Sequence, residues 1–572
     1  FSVNETFDSD VEHMPYAKNE AEIRERWRLA LKYQTLSRLV NKLERQEKAQ
    51  EEGNPEEVEM KSFALLEEEA RQQVRKTYAE YFRRLERMDI ADRRSDYLNA
   101  IAAVYDPHTN YFPPKDKEDF DISMSGRLEG IGATLREENG FIKVMSIVPG
   151  SASARQGQLE VNDKILKVAQ GAEEPVDVVG MALDEAVKMI RGPKGTEVRL
   201  TIQKIDGSEM IVPIVRDIVV LEETYAKSVI LENGQSADRI GYIHLPKFYV
   251  DFQDPQGRRC ATDVAMELEK LQADGIDGLV LDLRDNGGGS LQDVVEMAGL
   301  FFDYGPVVQV KSRDDVPTIL SDRDRKVHYD GPLVIMVNAF SASASEILAA
   351  AIQDYDRGVI VGSPHTFGKG TVQRFVNLDN YIRGGDEIKP LGEMKLTTQK
   401  FYRINGGATQ LRGVESDIVL PDAYSLLEMG EKDQAYCMPW DEINPVGFKP
   451  WDRPVSAVLP DVQAASAARV AQSEFFQLTR ENAERLKARQ DQQQYPLELE
   501  AFRAERARTE AEAKRFQGIR PVFEDLEITT LSADVAHIEA DSLRKKRIDT
   551  WHSNLRKDPY VYEAMEIVKD LP

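Results

Sequence analysis

The run Gly278-Leu279-Val280-Leu281-Asp282-Leu283-Arg284 is mostly apolar and leads into Gly287-Gly288-Gly289. Such a run reads as a buried strand, and the glycines after it as a loop whose amides can approach a ligand closely. Two further segments follow, Ser341-Ala342-Ser343-Ala344-Ser345-Glu346 and Thr366-Phe367-Gly368-Lys369-Gly370-Thr371-Val372-Gln373. In the first, small hydroxyl residues open an amphipathic helix, where free backbone N–H groups favour negative charge. In the second, a lone lysine sits between two glycines, and a lysine held in an apolar turn can lose its proton and act as a base. This is the equipment of a Ser/Lys hydrolase. Ser343-x-x-Glu346 ahead of an apolar run also fits a capping box with no chemistry implied, so a plain helix start stands as the alternative.

The three segments, together with Asp106-Pro107-His108-Thr109-Asn110-Tyr111-Phe112 and the stretch from Lys400 to Pro421, resemble the signature motifs of the C-terminal processing, or tail-specific, proteases. The resemblance runs through most of the chain, and its long acidic flanks make it most similar to the large type found in the Gram-negative periplasm. The resemblance implies Ser343 as nucleophile, Lys369 as general base and Gln373 as the glutamine that positions the lysine. It implies oxyanion donors at the backbone N–H of Ala344 and at Gly288 or Gly289, with Glu346 and Thr366 in support. Gly362-Ser363-Pro364-His365-Thr366 holds one residue more than the family pattern, which puts the local turn geometry in question. A lysine at its ordinary pKa of about 10.4 is a poor base near neutrality, so Phe367 and the run Gly358–Val361 would have to supply a dry wall that lowers it. No cofactor and no metal are implied, since His13, His108, His328, His365, His537 and His552 lack metal-ligand spacing with a second His or Cys. His244 alternates with apolar residues and reads as pointing out of a strand. A Ser-His-Asp triad is less economical than the Ser/Lys pair but is not removed by sequence.

Upstream, Gly126 to about Lys204 shows short strands, turn signals and one amphipathic helix, Leu183–Arg191, closed by Gly192. Gly130-Ile131-Gly132-Ala133 resembles the carboxylate-binding loop of a PDZ domain, and Val148–Ser153 and Val161–Leu166 match that fold's next landmarks. Consecutive amides freed by glycine can bind a terminal carboxylate, while the strand from Ala133 pairs with a peptide by β-augmentation. The implied partners are protein or peptide substrates with free apolar C-termini, and a lipoprotein adaptor.

Over 572 residues the net charge is −25, which argues against nucleic acid and anionic lipid as partners. No apolar run reaches membrane-span length, and Phe1 in place of Met reads as a processed or trimmed chain with any signal peptide gone. Cys260 and Cys437 could pair in an oxidising compartment; a periplasmic location follows only from the resemblance. Residues 17–96 read as a helical hairpin broken at Glu51-Glu52-Gly53-Asn54-Pro55, and 466–514 repeat that character with an interruption at Gln490–Pro496. These arms read as solvated helical faces, or else as channel walls or an adaptor dock, and the Pro-rich stretch Met438–Pro460 as a linker.

The expected fold is multidomain α+β: an N-terminal helical domain (1–125), a PDZ domain (126–207), a crotonase/Clp-like protease core (208–425) and a C-terminal helical domain (426–572). Leu279–Leu283, Leu333–Val337 and Val359–Val361 are its expected central strands. The expected function is a periplasmic serine endopeptidase acting on C-terminal tails. A PDZ scaffold or chaperone without proteolysis, or another acyl-transfer hydrolase on the same core, are the alternatives.

Overall fold

The computed structural model describes all residues except 12, 53–58, 235–236 and 519. The chain forms two compact units. One comprises Phe1–Ile101, Pro421–Glu428 and Ser473–Ile519; the other comprises Ala102–Leu420, Met429–Gln472 and Arg520–Pro572.

The first unit is built on long helices. Asn19 starts helix Glu20–Glu51 by accepting from the Glu22 N–H, and Ser62 starts Phe63–Arg87 by accepting from Leu65. The break expected at 51–55 lies largely outside the described residues. Leu36, Val40, Leu497 and Phe502 form a small core beneath Phe7 and Tyr33. Within the expected interruption at Gln490–Pro496, strand Gln494–Pro496 pairs antiparallel with Thr6–Asp8. A pairing across that sequence distance leaves no local signal.

In the second unit, residues 127–220 hold a six-stranded antiparallel sheet with helices Ala152–Gln156 and Leu183–Ile190. Its core gathers Ile131, Ile142, Val144, Ile165, Leu200 and Ile202. Ala133–Glu138 is an edge strand of this sheet, paired among the described residues only with Phe141–Ile147. The chain enters and leaves the module through one ribbon, Arg127–Gly130 paired antiparallel with Asp217–Val220.

The glycine-loop, serine and lysine segments lie around a seven-stranded sheet. Its strand order is Ile418–Val419, Val359–Gly362, Leu333–Val337, Gly278–Asp282, Arg239–His244, Lys227–Asn233 and Leu526–Thr529. The first five are parallel, and the three expected central strands are buried along their whole length. Parallel strands covered on both faces carry continuous apolar runs, which is why these three were legible. Helices Cys260–Ala273, Leu291–Ala298 and Ala344–Asp354 connect them. The edge strand Leu526–Thr529 lies outside the 208–425 span expected for the core, so that sheet draws on the end of the chain. Beside it, a second sheet orders Thr318–Asp322, Gly305–Lys311, Glu393–Tyr402 and Thr371–Asn377, with Asn110–Phe112 added along Glu393–Lys395. Cys260 is buried and Cys437 half-buried, and both are free thiols, so the pairing entertained from sequence is not made. Among the described residues no helix is long and apolar enough to cross a membrane.

At the end of strand Gly278–Asp282 the buried Asp282 carboxylate accepts from Tyr242 Oη at 2.6 Å and from the Arg284 guanidinium. Arg284 also pairs with Asp558, the N-cap of helix Pro559–Asp570. The guanidinium beside Asp282 holds its carboxyl below the usual range against burial, which pushes it up. Arg284→Met leaves a buried carboxylate without its partner. It is expected to lower unfolding free energy by about 3–5 kcal/mol, read from denaturant midpoints.

Candidate active site

Asn286 organises the glycine loop. Fully buried, it donates from Nδ2 to the Leu245 carbonyl at 2.8 Å and accepts the Gly288 N–H on Oδ1 at 2.9 Å. Its own carbonyl accepts from Ala342 N–H at 3.0 Å and Ser345 Oγ at 2.8 Å, which stitches the loop to the serine segment. Gly288 adopts φ +99°, and a Cβ there would stand 2.8 Å from the Ser343 Cβ, so only glycine allows the approach.

The three serines of the segment have different surroundings. Ser341 and Ser345 are fully buried; Ser341 Oγ donates to the Leu283 carbonyl and Ser345 Oγ to that of Asn286, each at 2.8 Å. Ser343 is partly exposed, and among the described residues no group hydrogen-bonds its hydroxyl. Its backbone lies at φ 57°, ψ −109°, a conformation costing on the order of 1–3 kcal/mol and held by the ties on either side. Of the capping box suggested by sequence, the half that places Glu346 on the Ser343 N–H is made, at 2.6 Å.

Glu346 also holds the lysine turn. Its fully buried carboxylate accepts from Thr366 Oγ1 at 2.7 Å, Gly368 N–H at 2.7 Å and Lys369 N–H at 3.0 Å. Burial raises this carboxyl to about 8 even though the four donated hydrogen bonds pull it down. The extra residue before the turn is accommodated: His365 bridges to Glu415, and Thr366 N–H reaches the Val414 carbonyl at 3.1 Å.

Ser343, Lys369, Gln373, Gly288, Gly289 and Ala344 all line one cavity of about 1110 Å³, whose apolar wall includes Leu291, Ile347, Val372 and Phe401. Burial, with Lys395 nearby, brings the Lys369 ammonium down to about 8, against Glu431, Glu346 and Asp106. Among the described residues no group hydrogen-bonds Lys369 Nζ, so the amine and the Ser343 hydroxyl share the cavity without bonding each other. Gln373 does not hold the lysine here. Its Nε2 donates instead to Thr371 Oγ1 at 2.9 Å and Thr397 Oγ1 at 3.0 Å. The Gly288 N–H is committed to Asn286, which removes it as an oxyanion donor; Gly289 and Ala344 keep their N–H groups unengaged among the described residues. No histidine lines the cavity. His244 is half-buried at a strand end and lowered by burial, and His108 pairs with Glu431 at 2.8 Å.

In the upstream module Gly132 takes φ +77°, and a Cβ there would meet the Ser151 Cβ at 2.2 Å. Ser153 N–H donates to the Ile131 carbonyl, and Val148 N–H and Ser151 Oγ donate to that of Gly132, fixing the loop at the head of edge strand Ala133–Glu138. Gly130 ends the ribbon strand opposite Asp217. Sequence reasoning overlooked Asn286 as the loop's organiser, and Lys395 and Glu431 around the lysine. Asn286 stands directly before Gly287-Gly288-Gly289, but its role depends on contacts with Leu245 and Ala342 that local sequence does not display.

Residues 239–420 match the family profile of peptidase family S41, and residues 120–203 that of the PDZ domain. Residues 1–115 match the tail specific protease N-terminal domain, and 424–572 the C-terminal domain of tail specific protease. The chain is 42% identical over 376 residues to a tail-specific protease of Haemophilus influenzae, covering 66% of this chain and 52% of that protein. It is 32% identical over 337 residues to a carboxy-terminal-processing protease of Bartonella bacilliformis, covering 57% of this chain and 70% of that one. The chain thus spans about half the length of the Haemophilus relative. Among solved structures, the PDZ domain of a carboxy-terminal protease from Vibrio cholerae, in complex with peptide, is 41% identical, covering 16% of this chain and 97% of that one with a TM-score of 0.16. With a carboxy-terminal-processing protease matched at this identity over more than two thirds of its length, and the S41 profile matched over the sheet that carries the three motifs, the chain belongs to peptidase family S41.

Proposed function

We propose that the chain is a serine endopeptidase in which Ser343 is the nucleophile and Lys369 the general base. The observation that carries this reading is the contrast among the three serines. Two are buried and committed to backbone carbonyls, and the third offers a free hydroxyl to a cavity it shares with a lysine whose proton burial loosens. Neutral Lys369 takes the Ser343 proton as Oγ attacks a peptide carbonyl, and returns it to the leaving amine; water then releases the acyl group by the same route. The N–H groups of Ala344 and Gly289 receive the oxyanion. The serine–lysine hydrogen bond forms with substrate in place, since catalytic contacts often tighten only in the complex. Glu346 and Thr366 support this arrangement by holding the turn.

Gly130–Ala133 and the open edge of Ala133–Glu138 bind the substrate's free C-terminus, so the enzyme processes or degrades proteins from their tails. The 1–125, 126–207, 208–425 and 426–572 divisions serve as working domain limits, with Leu526–Thr529 contributed to the core from the last. The periplasmic setting and a lipoprotein adaptor rest on the family resemblance.

Cleavage of an unfolded protein with an apolar free C-terminus tests this reading. Ser343→Ala and Lys369→Ala are expected to reduce kcat by about 10³-fold or more with little change in unfolding midpoint. Ser341→Ala and Ser345→Ala are expected to lose about 1–3 kcal/mol of stability while keeping measurable cleavage. Cleavage by Ser343→Ala together with an inactive, folded Ser341→Ala would overturn the assignment.

Because Lys369 works only when neutral, kcat/KM is expected to climb with pH through about 8, and Lys369→Arg to be inactive at every pH. A profile set by one histidine, and abolished with it, would exclude the lysine base.

Amidating the substrate's C-terminus is expected to weaken its processing at least about tenfold, and Ile131→Asp to do the same for the free acid. Equal rates for acid and amide would remove the carboxylate reading.

A further inference from the structure

The loop Asp106–Thr109 belongs to a motif to which no role has been given above, yet it reaches both sides of the lysine turn. The strand after it, Asn110–Phe112, pairs with Glu393–Lys395, two residues short of Thr397. Asp106 is 3% exposed, and its carboxylate accepts from His108 N–H at 2.8 Å, Thr109 Oγ1 at 2.5 Å and Thr397 Oγ1 at 2.9 Å. Thr397 N–H is held in turn by Thr109 Oγ1 at 3.2 Å. On the other side, His108 Nε2 meets Glu431 at 2.8 Å; Glu431 accepts from Gln410 Nε2 at 2.8 Å, and Gln410 Oε1 accepts the Gly370 N–H at 2.7 Å.

The first arm has a directional consequence. A threonine hydroxyl carries one proton, and that of Thr397 is given to Asp106, so Thr397 Oγ1 can only accept from Gln373. The amide of Gln373 must therefore turn its NH₂ toward Thr397 and Thr371, which leaves its carbonyl Oε1 without a partner among the described residues. The direction matters to a neutral lysine. A carbonyl accepts one of its N–H bonds and leaves the lone pair for the serine proton, whereas an NH₂ group would donate into the lone pair and disable the base.

We propose that Asp106, acting through Thr397, is a positioning residue that fixes the Gln373 amide with its carbonyl available to Lys369. The inference rests on the Ser343/Lys369 reading. Asp106→Asn places a possible donor beside Thr397, frees the threonine proton to point at Gln373, and so permits the inverted amide. Thr397→Val removes the hydroxyl at nearly constant shape, and Thr397→Ser restores it.

Steady-state cleavage of the same unfolded substrate by the full chain tests the relay. Asp106→Asn and Thr397→Val are each expected to lower kcat about tenfold with KM held within about twofold, and Thr397→Ser to recover at least half of the wild-type kcat. On a Gln373→Ala background, Asp106→Asn is expected to cost nothing further, because its effect passes through that amide. An equal loss from Asp106→Asn with and without Gln373 would overturn the relay, as would full activity of Thr397→Val. Should Asp106→Asn fail to fold, the Thr397 pair and the Thr397→Val/Gln373→Ala cycle decide alone. Retained cleavage by Lys369→Ala would sink the underlying Ser/Lys reading and the relay with it; an inactive Lys369→Ala beside a fully active Thr397→Val sinks only the relay.

Discussion

The buried carboxylate of Glu346 is the contact on which the proposed site depends. It joins the first turn of the serine helix to the lysine turn through the N–H groups of Ser343, Gly368 and Lys369 and the hydroxyl of Thr366. Four donors around its two oxygens satisfy their lone pairs without water, which offsets the cost of burying the group completely. Because the two segments meet through one buried acceptor, the placing of Ser343 relative to Lys369 rests on backbone hydrogen bonds and not on long side chains. Among the described residues Lys369 Nζ keeps its freedom, as the proposed proton acceptor requires.

The same economy governs the strain at Ser343. A positive φ at a non-glycine residue persists only where its neighbours leave no alternative. Here Ser341 and Ser345 pin both flanks to the strand–loop connection at Leu283 and Asn286, while Gly288 closes over the top. The hydroxyls that look interchangeable in sequence therefore divide their work: two hold the backbone in an unfavourable shape, and that shape turns the third toward the cavity.

Much of this arrangement is legible in the amino-acid sequence, for definite physical reasons. Gly278–Asp282, Leu333–Val337 and Val359–Gly362 are buried on both faces, and continuous apolar runs announce that condition. Ser343 and Lys369 were singled out by segments whose residue types suit one chemistry. The partners of neighbouring groups were not legible. That Gly288 gives its N–H to Asn286, and that Gln373 turns to Thr371 and Thr397, depends on side-chain directions set by the pairing of two strands. Nor did periodicity reveal Gln494–Pro496 or Leu526–Thr529 as strands, since each is four residues or fewer and pairs with sequence hundreds of residues away.

That last strand bears on how the protein comes into being. Strand Leu526–Thr529 closes one edge of the sheet that carries the motifs, and helix Pro559–Asp570 packs on strands Gly278–Asp282 and Leu333–Val337 close enough for Val568 to bar any side chain at Gly278. During synthesis the serine and the lysine leave the ribosome long before these covering pieces. A nascent chain thus carries Ser343 and Lys369 on a sheet whose edge and face remain bare until residues 526–570 have also been made. Under the proposed cleavage of unfolded tails, unfinished copies of the chain would themselves be such material, and this order of assembly withholds the finished scaffold from Ser343 and Lys369 until those later residues arrive.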